Sequence, residues 1–352
     1  MTVRPVVKAV LRGALKDVRH VRAVPPGRAD DLVARVYAQL ERDFGVLAPP
    51  VALHSPAAPV LAAAWMLLRE VLLVEGRVDR LVKEVVATEV SRANDCPYCV
   101  DVHSATVGTL PPQPGAGTAE IAAWARTSGL SRPDGEGGSA PPFAAEAAPE
   151  IFGVALVFHY INRMVHVFLD DSPVPEQAPG FLRGTILRTA AKAMRPADDR
   201  PLLPGAALGL LPPAELPAGL EWARANQSVA DALARAVAAV ADGAQWVPAR
   251  VRERTEAVLA RWDGTPPGLG LSWLDEAVEG LAADDRPAAR LALLTALAPF
   301  RITDADVAAF RARYPGDREL IELTSWAALA AALRVGSRFE SAYGVAPARS
   351  AN

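Results

Sequence analysis

Two cysteines stand three residues apart in Cys96-Pro97-Tyr98-Cys99, and they are the only cysteines in the chain. His103 follows Cys99 by four residues and Glu84 precedes the pair by twelve. A cysteine at the start of a helix meets unpaired backbone N–H groups and the positive end of the helix dipole, both of which favour thiolate. Cys99, one turn further on, is near enough for a small adjustment to close a disulfide. His103 lies on the same helical face as Cys99 and can take its proton, and Glu84 can orient His103 or accept a proton from it. Acid, dithiol and histidine together describe reversible thiol redox chemistry.

Two helices must hold these groups. Leu81, Val82, Val85, Val86, Ala87 and Val90 give Arg80–Arg92 a helical apolar face. Asn94-Asp95 ends it, with Asp95 reading as the N-cap of a new helix from Cys96 and Pro97 tolerated in its first turn. Glu84 lies ten residues before Asn94 and His103 eight after Asp95, so an antiparallel turn at Asn94-Asp95 brings both to similar height. At the helix terminus Cys96 should be nearer solvent, with Cys99 a turn deeper beside His103.

These residues, in the stretch EVVATEVSRANDCPYCVDVHSATV and in the later FHYINRMVHVF, resemble the alkylhydroperoxidase D (AhpD)-like family of the carboxymuconolactone decarboxylase-like superfamily. The resemblance is strong over the first half of the chain and weak over the second. It implies an all-α fold and reduction of a hydroperoxide, with Cys99 forming a sulfenic acid that Cys96 resolves to a disulfide. It further implies a dithiol reductant, either a lipoylated or a thioredoxin-like protein. Some members of that family carry a histidine immediately before the second cysteine, where this chain has Tyr98. A decarboxylase-like activity on a small lactone acid is the alternative within the superfamily, and the dithiol argues against it. A non-catalytic helical binding or assembly protein is the alternative outside it.

The rest of the chain reads as a helical protein of more than one unit. It has 352 residues, 51% hydrophobic and 22% charged, a length and composition that suggest two helical cores. Residues 1–25 form an N-terminal arm, 26–172 a first domain carrying the CxxC, and 179–345 a second helical domain. Helices are expected within 28–75 and over Ala148–Phe168. Residues 108–149, dense in Gly, Pro and Ser, read as a long loop with one helical patch near Ala119–Ala125. Shifting the chain by 151 residues lays the motif over Val247 to Arg254 and Glu84 over Arg235, which suggests a degenerate duplication that keeps the chemistry in one copy.

Composition excludes several function classes. A net charge of −3, from 37 basic and 40 acidic residues spread along the chain, leaves no footprint for nucleic acid. The apolar run near Ile151–Leu169 is broken by His159, Asn162, Arg163 and His166, so no membrane span is expected. A working thiol pair without a secretory signal fits the cytoplasm, and a homo-oligomer is compatible. Neither a cofactor nor a metal is expected. Zinc on Cys96, Cys99, His103 and Glu84 is disfavoured because structural zinc sites join loops rather than sit on one continuous helix. His159 and His166 read as core histidines, Asn162-Arg163 as a buried polar anchor, and His20 and His54 as surface or packing residues.

Overall fold

A computed structural model describes residues 12–111, 117–131, 141–175, 177–196, 200–268 and 270–339. Among these residues there are 14 α-helices and no strand, so the fold is all-α. In chain order the helices are α1 (Asp31–Gln39), α2 (Pro49–Ala52), α3 (Ala58–Leu68), α4 (Arg80–Ala93), α5 (Pro97–Val107), α6 (Thr118–Thr127), α7 (Ala148–Phe168) and α8 (Gly180–Ala193). They continue as α9 (Gln227–Gly243), α10 (Ala249–Arg261), α11 (Ser272–Val278), α12 (Arg286–Leu297), α13 (Asp304–Arg311) and α14 (Asp317–Gly336).

The central element is α7. It is long and apolar enough to cross a bilayer, yet every residue of it except His166 is buried inside the protein. Phe152, Phe158 and Phe168 are fully buried along it, each stabilising the fold by about 2 kcal/mol through the apolar surface removed from water. Helix α14 packs along one side of α7 and α4 along another, while α9 packs on α3. Buried residues from 26–172 and from 179–345 therefore share one apolar cluster.

Two π-helical turns, Leu40–Phe44 after α1 and Arg69–Leu73 after α3, lie side by side. They meet through a buried charge cluster in which Arg69 Nε donates to Asp43 Oδ2 (2.7 Å) and Nη1 to Glu70 Oε1 (2.6 Å). Glu70 also accepts from the backbone N–H of Gly205 at 2.8 Å, which ties the segment after α8 to the first half.

The described part of the N-terminal arm lies against the end of α7, where the Arg19 N–H donates to the Phe168 carbonyl (2.8 Å). Within the stretch read as a loop, α6 packs on α4 and covers the helical patch expected there. Residues 1–11, 112–116, 132–140, 197–199, 269 and 340–345 of the sequence-based assignment lie outside the described residues. In the second half, α9 and α10 occupy the places that a 151-residue shift assigns to the counterparts of α4 and α5. They do not stack along each other as α4 and α5 do; α10 packs on α12 and α14 instead.

Candidate functional site

The site is built by the turn between α4 and α5. Asp95 adopts a left-handed backbone, φ 49°, a conformation that Asp accepts more readily than most residues. The N–H of Cys96 then donates to the Ser91 carbonyl at 2.9 Å, and the chain reverses so that α5 returns along α4. Cys96 itself is the N-cap and Pro97 the first helical residue, one position later than the sequence suggests, because Asp95 is used to make the turn.

This reversal brings Glu84 and His103 together. His103 Nδ1 lies 2.6 Å from Glu84 Oε2, and Arg80 Nε donates to Glu84 Oε1 at 2.8 Å. Burial pushes the Glu84 carboxyl up, but Arg80 and His103 outweigh it and hold the group down to about 2. Glu84 is therefore a carboxylate at neutral pH, accepting the His103 Nδ1–H, and Nε2 has no hydrogen-bond partner among the described residues. The His103 ring stands edge-on to Phe158, with centroids 4.6 Å apart.

Both thiols are free and buried, 1% exposed for Cys96 and 2% for Cys99. The expected contrast, with Cys96 nearer solvent, is absent, because packing of α5 on α4 covers its first turn. Burial pushes the Cys99 thiol well up, Cys96 adds to that, and a hydrogen bond from Asn162 opposes it. Tyr98, at the position of the family's additional histidine, is buried beside the thiols, which raises its phenol further above the usual range.

Cys99, Tyr98 and His103 line a cavity of about 320 Å³ whose other walls are apolar, among them Phe44, Val51, Val102, Phe158, Ile161 and Ile186. Cys96 is not among its lining residues. Ile186 belongs to α8, which packs on α5 and forms the outer wall. The Ser172 hydroxyl and Arg183 both donate to Asp101 Oδ2, at 3.0 and 3.3 Å, and hold the α7–α8 connection and α8 against α5.

Behind the thiols, a polar stripe on α7 meets the end of α4. Asn94 Nδ2 donates to Asn162 Oδ1 (2.9 Å) and to His159 Nδ1 (3.1 Å), and Asn162 Nδ2 donates to Ser91 Oγ (3.0 Å). His159 Nε2 is 3.2 Å from Ser128 Oγ, so both ring nitrogens are satisfied. Burial, with Arg163 and Arg338 nearby, lowers His159 to about 3, which keeps it neutral. The support of Cys99 by Asn162 is not readable from sequence spacing, although the recurrence of His159, Asn162, Arg163 and His166 on an otherwise apolar helix marks the stripe.

The remaining candidates lie elsewhere. His54 is fully buried, its Nδ1 3.0 Å from the Val51 carbonyl and its Nε2 2.9 Å from the Tyr160 hydroxyl, and burial lowers it to about 4. In the second half, Arg235 donates to the carbonyls of Leu208 and Leu211, Arg254 to those of Ala277 and Glu279, and Arg250 pairs with Glu253. With Val247 buried, these four positions hold no nucleophile and base. Among the described residues no group of three or more His, Cys, Asp or Glu is placed to hold a metal ion.

Comparison with known proteins gives two findings. The sequence profile of the carboxymuconolactone decarboxylase family matches residues 59–107, the stretch from α3 through α5. The chain is also 37% identical over 338 residues to an alkyl hydroperoxide reductase of Mycobacterium tuberculosis, an alignment covering 92% of this chain and 95% of that protein.

Proposed function

The chain belongs to the AhpD-like family of the carboxymuconolactone decarboxylase-like superfamily, and from that premise we propose that it is a thiol-dependent hydroperoxide reductase working through Cys96 and Cys99. The observation that carries this reading is the buried Glu84–His103 pair at 2.6 Å beside Cys99 on the wall of an apolar cavity. A cysteine whose proton is hard to remove, next to a base steadied by a fixed carboxylate, is a nucleophile activated locally. The match to an alkyl hydroperoxide reductase over nearly the whole chain supports the same reading.

In the proposed cycle His103 Nε2 takes the Cys99 proton as the hydroperoxide enters the cavity. The thiolate attacks the terminal peroxide oxygen, the O–O bond breaks, and the departing alkoxide takes the proton from His103 and leaves as the alcohol. Cys99 is then a sulfenic acid. Cys96 attacks its sulfur, water leaves and the disulfide forms. A dithiol, lipoylated or thioredoxin-like, reduces that disulfide by two exchanges and is itself oxidised to a disulfide. Steady turnover needs a compartment that keeps such dithiols reduced, which points to the cytoplasm.

The test is consumption of cumene hydroperoxide by the reduced protein, followed with the thiol count. One equivalent of peroxide should be consumed per chain with loss of both thiols, turnover should resume on adding a dithiol, and Cys99→Ser should abolish it. Thiols that stay inert to hydroperoxide while the chain decarboxylates a lactone acid would overturn the proposal.

A further inference from the structure

A second cavity, of about 200 Å³, lies on a different face of α7 from the thiol cavity. Phe158 and Ile161 face the thiol cavity, whereas His159, Arg163 and His166 line the second one together with Asn94 and Asp95 from the α4–α5 turn. The second half closes it with Trp262, Leu297 and Phe300.

Its distinctive group is Arg163, only 6% exposed. Arg163 Nε donates to the Ala296 carbonyl at 2.8 Å and Nη1 to the His159 carbonyl, and the guanidinium lies over the Trp262 ring, 5.6 Å from its centroid. Among the described residues Nη2 has no hydrogen-bond partner, and no Asp or Glu forms an ion pair with Arg163. A buried guanidinium is ordinarily matched by a carboxylate, because desolvating it alone is costly. Burial does lower Arg163, to about 10, which leaves it charged at neutral pH.

The other charges near the cavity do not supply the missing anion. Arg126 is on the exposed rim and paired with Glu89 at 2.6 Å, and Asp95 is exposed to screening by water. His159 is neutral with both nitrogens bonded. His166 Nε2 donates to the Asn94 carbonyl at 3.0 Å. Arg338, outside the lining, also lies over the Trp262 ring, 5.6 Å from its centroid, and donates to the Trp262 and Gly129 carbonyls. The remaining lining is largely apolar, with Trp262, Leu297 and Pro299, and with Phe300, half exposed, at the mouth.

We propose that this cavity is a ligand site for a small organic carboxylate with a flat apolar body, the carboxylate on Arg163 and the body against Trp262 and Phe300. A buried guanidinium with no carboxylate on it calls for a negative charge, and a guanidinium N–H is well suited to a carboxylate oxygen. The cavity is smaller than the roughly 300–1,000 Å³ of drug-sized sites, which fits an acid of about one ring. The site is separate from the thiol cavity, so the proposal stands apart from the reductase reading.

The experiment uses the full chain with 4-bromobenzoate and its neutral counterpart 4-bromobenzamide, read by calorimetry and by the anomalous signal of bromine in crystals. The benzoate should bind saturably with its bromine beside Trp262. The amide, and the benzoate on Arg163→Met, should each bind roughly 10- to 100-fold more weakly, as loss of one buried charge-assisted hydrogen bond dictates. Arg163→Met should keep the wild-type helical circular dichroism and cooperative thermal unfolding, which shows that it folds; if it does not fold, the amide comparison on the unaltered chain decides by itself. Bromine only in the thiol cavity, no bound bromine, or equal affinity for acid and amide would overturn the proposal.

Discussion

Replacing Glu84 with Gln keeps an oxygen for the His103 Nδ1–H and removes only the charge. The structure sets the size of the effect. The carboxyl is held from an ordinary 4.5 down to about 2 by Arg80 and His103 against its own burial, a shift equivalent to about 3 kcal/mol of native-state stabilisation at neutral pH. The folded value lies below the unfolded one, so this stabilisation is present above pH 4.5 and is lost as pH falls from about 5 toward 2. Urea unfolding of wild type and Glu84→Gln across that range should give curves separated by about 3 kcal/mol at pH 7 that converge near pH 2. Catalysis should change in parallel, because the imidazolium formed when His103 takes the Cys99 proton then faces an amide. Losing that charge-assisted hydrogen bond should slow sulfenic acid formation roughly 10- to 100-fold, read by stopped-flow with a hydroperoxide. Parallel stability curves with a wild-type oxidation rate would refute the reasoning, and a slow rate without convergence would confine Glu84 to positioning.

Other variants test separate links. Cys99→Ser should abolish the first oxidation, whereas Cys96→Ser should react once with peroxide and leave a sulfenic acid on Cys99 that dimedone traps; the reverse pattern exchanges the two roles. Asn162→Leu removes a hydrogen bond to Cys99 and strands Asn94 and Ser91. It should shift the pH dependence of Cys99 alkylation upward and cost about 1–3 kcal/mol in urea unfolding. Ala190→Trp, on the α8 wall of the thiol cavity, should raise KM for cumene hydroperoxide far more than for hydrogen peroxide; equal effects would mean that this cavity is not the entry path. Gly264 has φ +103°, and a Cβ there would collide with the Gly129 carbonyl, so Gly264→Ala should lower stability by about 1–3 kcal/mol, measured by thermal unfolding.

The geometry near the turn was legible in the chain because it depends on short sequence distances. Helical periodicity placed α4 and α5, and counting residues from Asn94-Asp95 put Glu84 opposite His103, a pairing that any tight antiparallel turn would produce. Burial of Cys96 was not legible. A helix start is exposed only if nothing packs on it, and here the left-handed Asp95 folds it against α4. The sequence reading begins a second domain at residue 179, yet α8 there walls the cavity of the preceding helices, a role set by packing and not by chain order.

The sequence by itself determined the all-α fold and the helix pair that carries Glu84, the two cysteines and His103, since each follows from local pattern and spacing of a few turns. Tertiary structure alone decided what surrounds those groups. Asn162 reaches Cys99 across some sixty residues of chain, Arg163 meets Trp262 across about a hundred, and α14 seals α7 from the other end of the protein. Such contacts arise from burying apolar faces against whichever partner fits, and that complementarity is a property of shapes in space that no single segment contains.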